Sequence, residues 1–224
     1  MNEENVKYII KKRMEKAGKA LEKNNMAVYY ADTKENVPAI VKSLLKPGDI
    51  ISCGGTMTAA QCGVMELIKS SEYQFIDRTA VPPEQIKEVY RKSFCADAYI
   101  TSANAVTENG ELYNVDGNSN RIAAIAYGPD SVIVIAGYNK LVKDLDEAIV
   151  RVKTIAAPAN TKRLDCATYC KEKGECRSFS SGDSAEMTAG CESDARICCN
   201  YLVSAHQRHK NRIKVILVAE SLGY

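Results

Sequence analysis

The residues of this chain best suited to chemistry are its cysteines, because six of the nine are gathered in one segment. Three thiols stand singly in the first 165 residues, at Cys53, Cys62 and Cys95. The other six lie between Cys166 and Cys199. Thiols confined to one short segment indicate a local function. The candidates are a set of disulfides, a metal site and an iron–sulfur cluster.

The first residues of the chain bear on the choice between disulfides and ligands. The sequence MNEENVKYIIKKRMEK lacks the apolar core and the small-residue cleavage site of a signal peptide. No run of about 18 apolar residues is present to span a membrane. We therefore expect a cytoplasmic protein with no membrane partner. Cytosolic thiols are kept reduced and the number of cysteines is odd, so ligands or redox groups are favoured over disulfides.

The composition is that of a globular protein and gives no indication of nucleic-acid binding. Apolar residues make up 46% of the chain and charged residues 26%, so a substantial core can be buried. The net charge is only +2, and the basic residues Lys11, Lys12 and Arg13 are interleaved with acidic residues on one predicted helix. Nucleic acid is therefore not an expected partner.

A second group of candidate residues is polar and lies between residues 104 and 121. It combines amides, acids and one cation: Asn104, Glu108, Asn109, Asn114, Asp116, Asn118, Asn120 and Arg121. Tight turns explain Asn109-Gly110 and Asp116-Gly117, but turns alone do not need the remaining polar residues. We therefore expect a small-molecule pocket in which Arg121 binds a carboxylate or a phosphate. The amides expected to line it are those of Asn104, Asn118 and Asn120.

Two shorter motifs follow predicted strands and are candidates for the same pocket. Gly54-Gly55-Thr56 opens a helix. It either binds an anion at free backbone N–H groups or is a tight turn with Thr56 as the helix cap. The pair Asn139-Lys140 either meets an anionic substrate or lies at the surface, with Lys140 paired to a nearby acid. The chain has neither a dinucleotide nor a nucleotide fingerprint.

The elements that must position these residues follow from the spacing of apolar side chains. Short apolar runs predict strands over 26–31, 50–53, 73–76, 98–101, 131–137 and 213–219. Helical spacing or helix-start residues predict helices over 3–24, 34–45, 56–69, 82–93 and 119–127, and another from Leu145 that ends before Pro158. This alternation indicates an α/β fold with a Rossmann-like, mixed and mostly parallel sheet and helices on both faces.

Two segments depart from the alternation of strands and helices. Residues 104–116 contain Asn109-Gly110 between two β-rich arms, which predicts a hairpin and makes the sheet mixed. Residues 160–211 are polar and rich in cysteine, and they lie between the last predicted helix and the last predicted strand. We therefore expect residues 1–224 to form a single domain, with 160–211 as a cysteine-rich insertion within it.

Several long stretches of the sequence are recognisable. TSANAVTENGELYNVDGNSNRIAA (101–124), AGYNKLV (136–142) and AAPANTKRL (156–164) closely resemble the lactate utilisation (LUD) domain family, and RIKVILVAESLGY (212–224) is similar to that family's C-terminal strand. The resemblance covers most of the chain. It implies a fold like that of ribose-5-phosphate isomerases and coenzyme A transferases. Relatives of this domain are encoded with iron–sulfur and oxidoreductase subunits that oxidise lactate to pyruvate.

The wider fold gives Glu108 a candidate role. Coenzyme A transferases carry a Ser-Glu-Asn-Gly motif whose glutamate is the nucleophile, and residues 107–110, Thr-Glu-Asn-Gly, are similar. A carboxylate can attack a thioester and form an acyl-enzyme. Glu108 is the catalytic residue that this resemblance implies. The alternative is that Glu108 only belongs to a hairpin turn.

The resemblance also implies a set of metal ligands. Clostridial-type members of the family carry four cysteines after the stretch that resembles 156–164, and the corresponding thiols here are Cys170, Cys176, Cys191 and Cys198. Residues 177–190 separate the two pairs and resemble a polar loop insertion, which still allows the pairs to meet. Four thiolates suit zinc or a [4Fe–4S] cluster. The family's electron-transfer partners favour the iron–sulfur cluster.

Alternatives to this ligand set remain open. Cys166 and Cys170 have the short spacing that zinc sites favour, so zinc held through Cys166 is one alternative. Cys199 is adjacent to Cys198, so the register of the last ligand can differ by one residue. The six thiols can also be free in a loop. His206 and His209 lie among basic and polar residues and are expected in a solvated loop.

Together these observations predict a LUD-family protein that binds a small organic acid or its thioester at the strand ends. It would act with iron–sulfur oxidoreductase subunits in the metabolism of lactate or a related 2-hydroxy acid. Proteins of this fold usually pair, so a homo-oligomer is expected. The alternatives are a non-catalytic electron-relay or assembly subunit and an acyl-transfer enzyme of the coenzyme A transferase type.

Overall fold

A computed structural model describes residues 3–180 and 186–224. Its strands are β1 Ala27–Ala31, β2 Ile50–Cys53, β3 Gln74–Phe75, β4 Ala98–Thr101, β5 Ala105–Thr107, β6 Leu112–Asp116, β7 Ser131–Gly137, β8 Leu141–Val142, β9 Asn200–Ser204 and β10 Ile213–Val218. Its α-helices are α1 Glu3–Lys23, α2 Val37–Ser43, α3 Met57–Gln61, α4 Val64–Ile68, α5 Ile86–Lys92, α6 Asn120–Tyr127, α7 Leu145–Arg151, α8 Ala157–Leu164, α9 Tyr169–Lys173 and α10 Arg177–Ser180.

The main sheet has six parallel strands in the order β1-β10-β7-β4-β2-β3. Its central strands β7 and β10 are nearly continuous apolar runs because both faces of the sheet are covered. Ile133 and Ile135 pack on one face with α2 and α4, whereas Val132 and Val134 pack on the other with α1. The predicted Rossmann-like α/β fold with helices on both faces is therefore confirmed.

A second sheet of four strands, in the order β8-β5-β6-β9, carries the antiparallel pairs. The predicted hairpin forms β5 and β6, and β5 also pairs in parallel with β8. Strand β9, which apolar spacing did not predict, pairs antiparallel with β6. It lies inside the segment 160–211, so this segment is anchored on the second sheet before β10 returns to the main sheet. Residues 181–185 of the predicted polar loop lie outside the described residues.

Two helices depart from the prediction by more than a shift at their ends. The helix predicted over 56–69 is divided into α3 and α4 at Gly63, whose φ of +71° is left-handed. The helix from Leu145 does not end before Pro158 but continues to Leu164 through a π-helical segment, Val152–Ala156. Proline clashes with the carbonyl four residues earlier in a regular α-helix, and a wider turn there removes the conflict. The continued helix carries Asn160 and Arg163 toward the strand ends.

None of the helices within the described residues is long and apolar enough to cross a membrane.

Candidate functional site

A cavity of about 660 Å³ opens at the carboxyl ends of several strands. Residues that follow β2, β4 and β6 line it, together with Lys140 beyond the end of β7 and residues of the α8 and 194–199 segments. Ligand sites of open α/β sheets form at this edge, where loops from neighbouring strands meet. The volume is within the range of pockets that hold small molecules and cofactors.

The cavity brings together most of the residues that the sequence predicted for it. Its walls include Gly55, Thr56, Asn104, Asn118, Asn120, Arg121 and Lys140. The predicted residues that do not line it are Gly54, Glu108 and Asn139. Polar residues that follow different strands therefore converge at one place.

Arg121 is the most extensively bonded side chain in the wall. Its Nε donates to Asp116 Oδ1 at 2.9 Å, and its Nη1 donates to Asn114 Oδ1 at 2.6 Å and to Ser102 O at 3.1 Å. Its Nη2 donates to Asn104 Oδ1 and to Val115 O, each at 2.9 Å. A guanidinium has five N–H donors, and all five are used within the protein.

The bonding of Arg121 corrects the role predicted for it. We expected this guanidinium to bind a carboxylate or phosphate of a ligand. The structure instead makes it a brace between the loop after β4 and strand β6, because no N–H donor remains for a ligand. Asn104 belongs to the same brace, since its Oδ1 also accepts from the backbone N–H of Val115 at 2.9 Å.

Lys140 is a buried cation whose side chain still reaches the cavity. It is 3% exposed, and its Nζ donates to Ser102 Oγ at 3.0 Å. Burial, and to a smaller extent the positive charges of Arg151 and Arg121, lower the pKa of Lys140 to about 7. The expected alternative, a surface pair with a nearby acid, is therefore wrong for Lys140. An amine with this pKa titrates near neutral pH, which is typical of functional sites.

Arg78 is a second cation of the cavity that the sequence reasoning missed. A Cβ on Gly55 would lie 2.6 Å from Arg78 Nη2, so the guanidinium rests against the backbone of that glycine. In the described part of the chain, Arg78 makes neither a hydrogen bond nor an ion pair. It follows β3, a strand of two residues, and a lone arginine after so short a strand carries no distinctive pattern.

The Gly54-Gly55-Thr56 turn has a clear structural role. Thr56 Oγ1 accepts from the backbone N–H of Ala59 at 3.3 Å and caps α3. A Cβ on Gly54 would lie 3.1 Å from both Arg121 Cδ and the Tyr99 hydroxyl oxygen. The two glycines therefore leave room for two arginines at the base of the cavity. Anion binding by this turn stays a prediction.

Asn139 acts on the cavity through the C-terminal segment. Its Oδ1 accepts from the backbone N–H of Leu222 at 3.0 Å, and its Nδ2 donates to Leu222 O at 3.4 Å. Gln61 Oε1 accepts from the backbone N–H of Gly223 at 2.7 Å. These bonds place Gly223 and Tyr224 in the cavity wall. Asn139 is thus a positioning residue for that wall.

Glu108 lies elsewhere, against helix α1. Its carboxylate accepts from Arg13 Nε at 2.7 Å and from Lys16 Nζ at 2.8 Å. Burial alone would raise the pKa of Glu108, but the hydrogen bonds and charges of Lys16 and Arg13 outweigh burial and lower it. A carboxylate held in this way, outside the cavity, does not support the nucleophilic role that the coenzyme A transferase motif implied.

The four cysteines predicted as ligands line one small cavity of about 20 Å³. Cys170, Cys176 and Cys191 are buried, and Cys198 is partly buried. The walls between the thiols are mostly apolar, with Ile149 among them. The pairs Cys170/Cys176 and Cys191/Cys198 therefore come together in space, although residues 177–190 separate them in the sequence.

Basic side chains lie beside these thiols, Lys153 and Arg196 among them. Lys153 lines the thiol cavity, and its Nζ donates to Ala189 O at 2.7 Å. Arg196 Nε donates to Cys198 O at 2.8 Å. Burial raises the pKa of the Cys198 thiol, Arg196 lowers it, and the nearby Cys176 and Cys191 raise it, so that the net shift is upward. These positive charges offset part of the charge that four thiolates would bring.

The thiols face one space but do not form a closed ligand cage. Within residues 3–180 and 186–224, no three thiol, imidazole or carboxylate groups come together closely enough to hold a metal ion. The cavity has the size of about one water molecule. In residue type and shared orientation the four thiols fit a metal or a cluster, and loading requires their side chains to rearrange around it.

The remaining candidate ligands lie away from the thiol cavity. Cys199 is exposed, and its Sγ donates to Arg196 O at 3.3 Å. Cys166 does not line the cavity. His206 is exposed and its Nε2 lies 3.2 Å from Asn25 Nδ2, and the neighbouring His209 is exposed as well.

The thiol cavity and the large cavity share part of a wall. Val152, Ala157 and Cys198 line both. Val152 belongs to the π-helical segment and Ala157 begins α8. A group bound by the four thiols would therefore stand next to a ligand in the large cavity.

Comparisons with known proteins bear on this architecture. The family model of the LUD domain matches residues 14–218. A DUF162 family protein from Deinococcus radiodurans has a similar structure, with a TM-score of 0.52 and 14% identity over 93% of this chain and 98% of that one. At this identity the similarity shows the fold alone. Among curated protein sequences, none matches the chain significantly.

A partial structural match is to eIF2B beta from Chaetomium thermophilum. It has a TM-score of 0.37 and 15% identity over 54% of this chain and 42% of that one.

Proposed function

The chain belongs to the LUD domain family, and from this premise we propose that it binds a small organic acid, or its thioester, in the large cavity. The single observation that carries the proposal is that several basic side chains, Lys140 and Arg78 among them, line a cavity that also presents amides and hydroxyls. Carboxylates and phosphates are recognised by such groups. Lactate-like 2-hydroxy acids and their 2-oxo counterparts are the substrates that membership of the family favours.

Arg78 and Lys140 differ in how they would act on a ligand. Arg78 offers a planar guanidinium whose donors are free within the described residues, so it is suited to a carboxylate. Lys140 is buried and titrates near neutral pH, so its charge responds to whatever binds beside it. The braced Arg121 keeps the wall in place between them and adds positive potential without a direct contact.

Calorimetric titration tests this proposal. Lactate, pyruvate, a phosphorylated sugar and an acyl-coenzyme A are titrated into the protein, into Arg78→Gln and into Arg208→Gln. Arg208 is exposed and does not line the cavity, which makes it the matched control. We expect one of these anions to bind, with a loss of about 1.5–3 kcal/mol in Arg78→Gln and none in Arg208→Gln. If no anion binds, the proposal is wrong.

We further propose that Cys170, Cys176, Cys191 and Cys198 hold a metal centre, and that an iron–sulfur cluster is favoured over zinc. The supporting observation is that all four thiols face one apolar cavity next to Lys153 and Arg196. Four cysteine thiolates are the ordinary ligands of a [4Fe–4S] cluster. Such a cluster, when bound, supplies electron transfer. The chain's residues would hold it beside the large cavity and shield it from water.

Anaerobic purification with metal analysis and a visible spectrum tests the metal centre. An iron–sulfur protein is brown, with broad absorption near roughly 400 nm. Zinc without iron in a colourless sample would reject the cluster and keep the metal centre. A metal-free sample in which all nine thiols are titratable would reject both.

Partners follow from these two sites. We propose that the chain works with iron–sulfur oxidoreductase subunits in the metabolism of 2-hydroxy acids, and that it forms a homo-oligomer. The rival function is a non-catalytic electron relay or assembly subunit, which the thiol cavity would support without the large cavity. That rival would be favoured if no anion binds in the calorimetric titration while the purified protein contains the metal centre. The acyl-transfer alternative loses its main support because Glu108 lies outside the cavity.

A further inference from the structure

Lys140 has an environment that suits a nucleophile better than a binding charge. Its one hydrogen bond within the described residues is to Ser102 Oγ, a neutral acceptor, and it has no carboxylate partner there. The charged groups that act on it, Arg151 and Arg121, are both positive. An ammonium in this position is largely buried and has no counter-charge within the described residues, so the neutral amine is favoured.

The bonding of Ser102 fixes the direction of the amine. Ser102 Oγ donates to the backbone carbonyl of Ile135 at 2.6 Å, so its lone pairs are left to accept from Lys140 Nζ. Ser102 is the first residue after β4, and Lys140 follows β7. Because β4 and β7 are neighbours in the main sheet, the contact is held by the fold.

Space beside the amine is kept by Gly223. A Cβ on this residue would lie 2.6 Å from Thr58 Oγ1 and 3.4 Å from Lys140 Nζ, and its φ of +59° is left-handed. A side chain at this position would therefore fill the approach to the amine and strain the backbone. Lys140, Thr58 and Gly223 all line the large cavity, so the approach leads from the cavity to Nζ.

We propose that Lys140 forms a reversible imine with the keto group of a 2-oxo acid bound in the large cavity. This inference rests on the proposed function, because it specifies the substrate class of the same site. A 2-oxo acid offers the carbonyl that an amine attacks and a carboxylate for the basic side chains of the cavity wall. A 2-hydroxy acid offers only the carboxylate, so the reaction distinguishes the two.

The covalent step balances without an oxidant or a reductant. The nitrogen lone pair of neutral Lys140 forms a C–N bond with the keto carbon, and the proton that nitrogen loses passes to the keto oxygen. The resulting carbinolamine then breaks its C–O bond. Its hydroxyl leaves as water with the second nitrogen proton, and a C=N bond remains. Hydrolysis reverses the sequence.

Reductive trapping tests the proposal on the complete chain. Sodium cyanoborohydride is added to the protein with pyruvate, with lactate, or with acetone, which lacks the carboxylate. Intact mass and peptide mapping then locate any adduct. We expect pyruvate to add one reduced imine per chain, mapped to Lys140, with no adduct from lactate and at least tenfold slower labelling by acetone. Mapping uses the unaltered protein, so it does not depend on how a variant folds.

Two variants provide the matched comparison. Lys140→Met should abolish the adduct. Lys214→Met should retain it, although burial lowers the pKa of Lys214 too, because Lys214 lies at the opposite end of β10, where Ile213 pairs with the start of β7. Arg78→Gln should raise the pyruvate concentration needed for half-maximal trapping at least tenfold. Labelling spread over exposed lysines, or an adduct that survives in Lys140→Met, would overturn the proposal.

Calorimetry with lactate separates the failure of the imine from the failure of the proposed function. If lactate binds and pyruvate displaces it, but pyruvate is not trapped on Lys140, the imine is wrong and the binding site stands. If neither acid binds and nothing is trapped, both proposals are wrong.

Discussion

At the scale of single residues, the basic side chains of the cavity differ in whether their N–H donors already bond other groups of the protein. Every N–H donor of Arg121 bonds a group of the protein, whereas Arg78 has no hydrogen-bond partner in the described chain. Both are arginines that follow strands, and only their partners distinguish them. Whether a charged side chain of this site can bind a ligand therefore depends on the groups that it already contacts.

Truncation of Arg121 should affect stability more than any other change in the cavity wall. Arg121→Ala leaves Asp116 and the amide oxygens of Asn104 and Asn114 without their donor. Partly buried acceptors left in this way cost about 3 kcal/mol or more in the free energy of unfolding. Urea unfolding measures this loss. Arg163→Ala is the control, because Arg163 bonds only Asn160 among the residues that the structure describes, and the change should alter stability by less than about 1 kcal/mol. Equal effects of the two variants would contradict the bracing role.

The adjacent cysteines Cys198 and Cys199 allow a test one residue apart. Cys198 lines the thiol cavity and Cys199 is exposed. Cys198→Ser should therefore lower the metal content of anaerobically purified protein severalfold, and Cys199→Ser should leave it unchanged. The same loss is expected for Cys170, Cys176 and Cys191 but not for Cys62, a buried thiol in the core of the main sheet. If Cys199→Ser lowers the metal content and Cys198→Ser does not, the fourth ligand is Cys199 instead of Cys198.

At the scale of elements, the hairpin of β5 and β6 is fastened to α1 instead of to the cavity. Gly110 has a φ of +84°, and a Cβ there would collide with the backbone of Ala20 in α1. Glu108 adds its ion pairs with Arg13 and Lys16. The Thr-Glu-Asn-Gly stretch therefore serves a helix–hairpin contact, and its similarity to the nucleophile motif of another enzyme class does not extend to its place in the fold.

Removal of the Glu108 carboxylate should weaken this contact in a pH-dependent way. The folded-state pKa of Glu108 is below the ordinary value, so its ion pairs stabilise the fold at neutral pH. This contribution is lost as the pH falls through the folded-state pKa. Glu108→Gln should lower the free energy of unfolding by about 1 kcal/mol at pH 7 and by less in acid. Chemical unfolding at several pH values measures this change in the free energy of unfolding. Glu4→Gln is the control, because Glu4 is an exposed residue of α1. An undiminished effect in acid would contradict the ion-pair explanation.

At the scale of the whole molecule, both sheets contribute to the wall of the large cavity, and strands β6 and β9 of the second sheet border the thiol cavity. The π-helical segment between α7 and α8 stands where the two cavities meet, because Val152 lines both. The proposed function needs this arrangement, in which a redox group held by the four thiols would lie beside a bound organic acid.

The lowered pKa of Lys140 should be detectable in the pH dependence of the free energy of unfolding. Its folded-state pKa of about 7 lies below the ordinary lysine value of 10.5, so the unfolded chain binds more protons between these values. The contribution of Lys140 is therefore most unfavourable below pH 7 and improves as the pH rises toward 10.5. Lys140→Met should remove this rise, and Lys7→Met, an exposed lysine, should not. Denaturant midpoints from pH 6 to 9 measure it, and a rise that is equally steep in Lys140→Met would contradict the assignment.

Local sequence patterns determined the order of strands and helices, the parallel main sheet and the hairpin over 104–116. Apolar periodicity and turn residues act over a few positions, so a single sequence contains them. The same is true of the gathering of polar residues after strands, since the carboxyl ends of parallel strands meet by topology. Most of the predicted cavity residues were found for this reason.

Only the tertiary structure decided which of those residues are free to act. The donors of Arg121 are satisfied by residues 102–116, Lys140 is buried beneath Gly223, and Glu108 turns toward α1. Strand β9 exists because β6 offers it an edge, not because its own residues alternate. Burial and hydrogen-bond partners depend on contacts between distant parts of the chain, and these contacts leave no local pattern in the order of its residues.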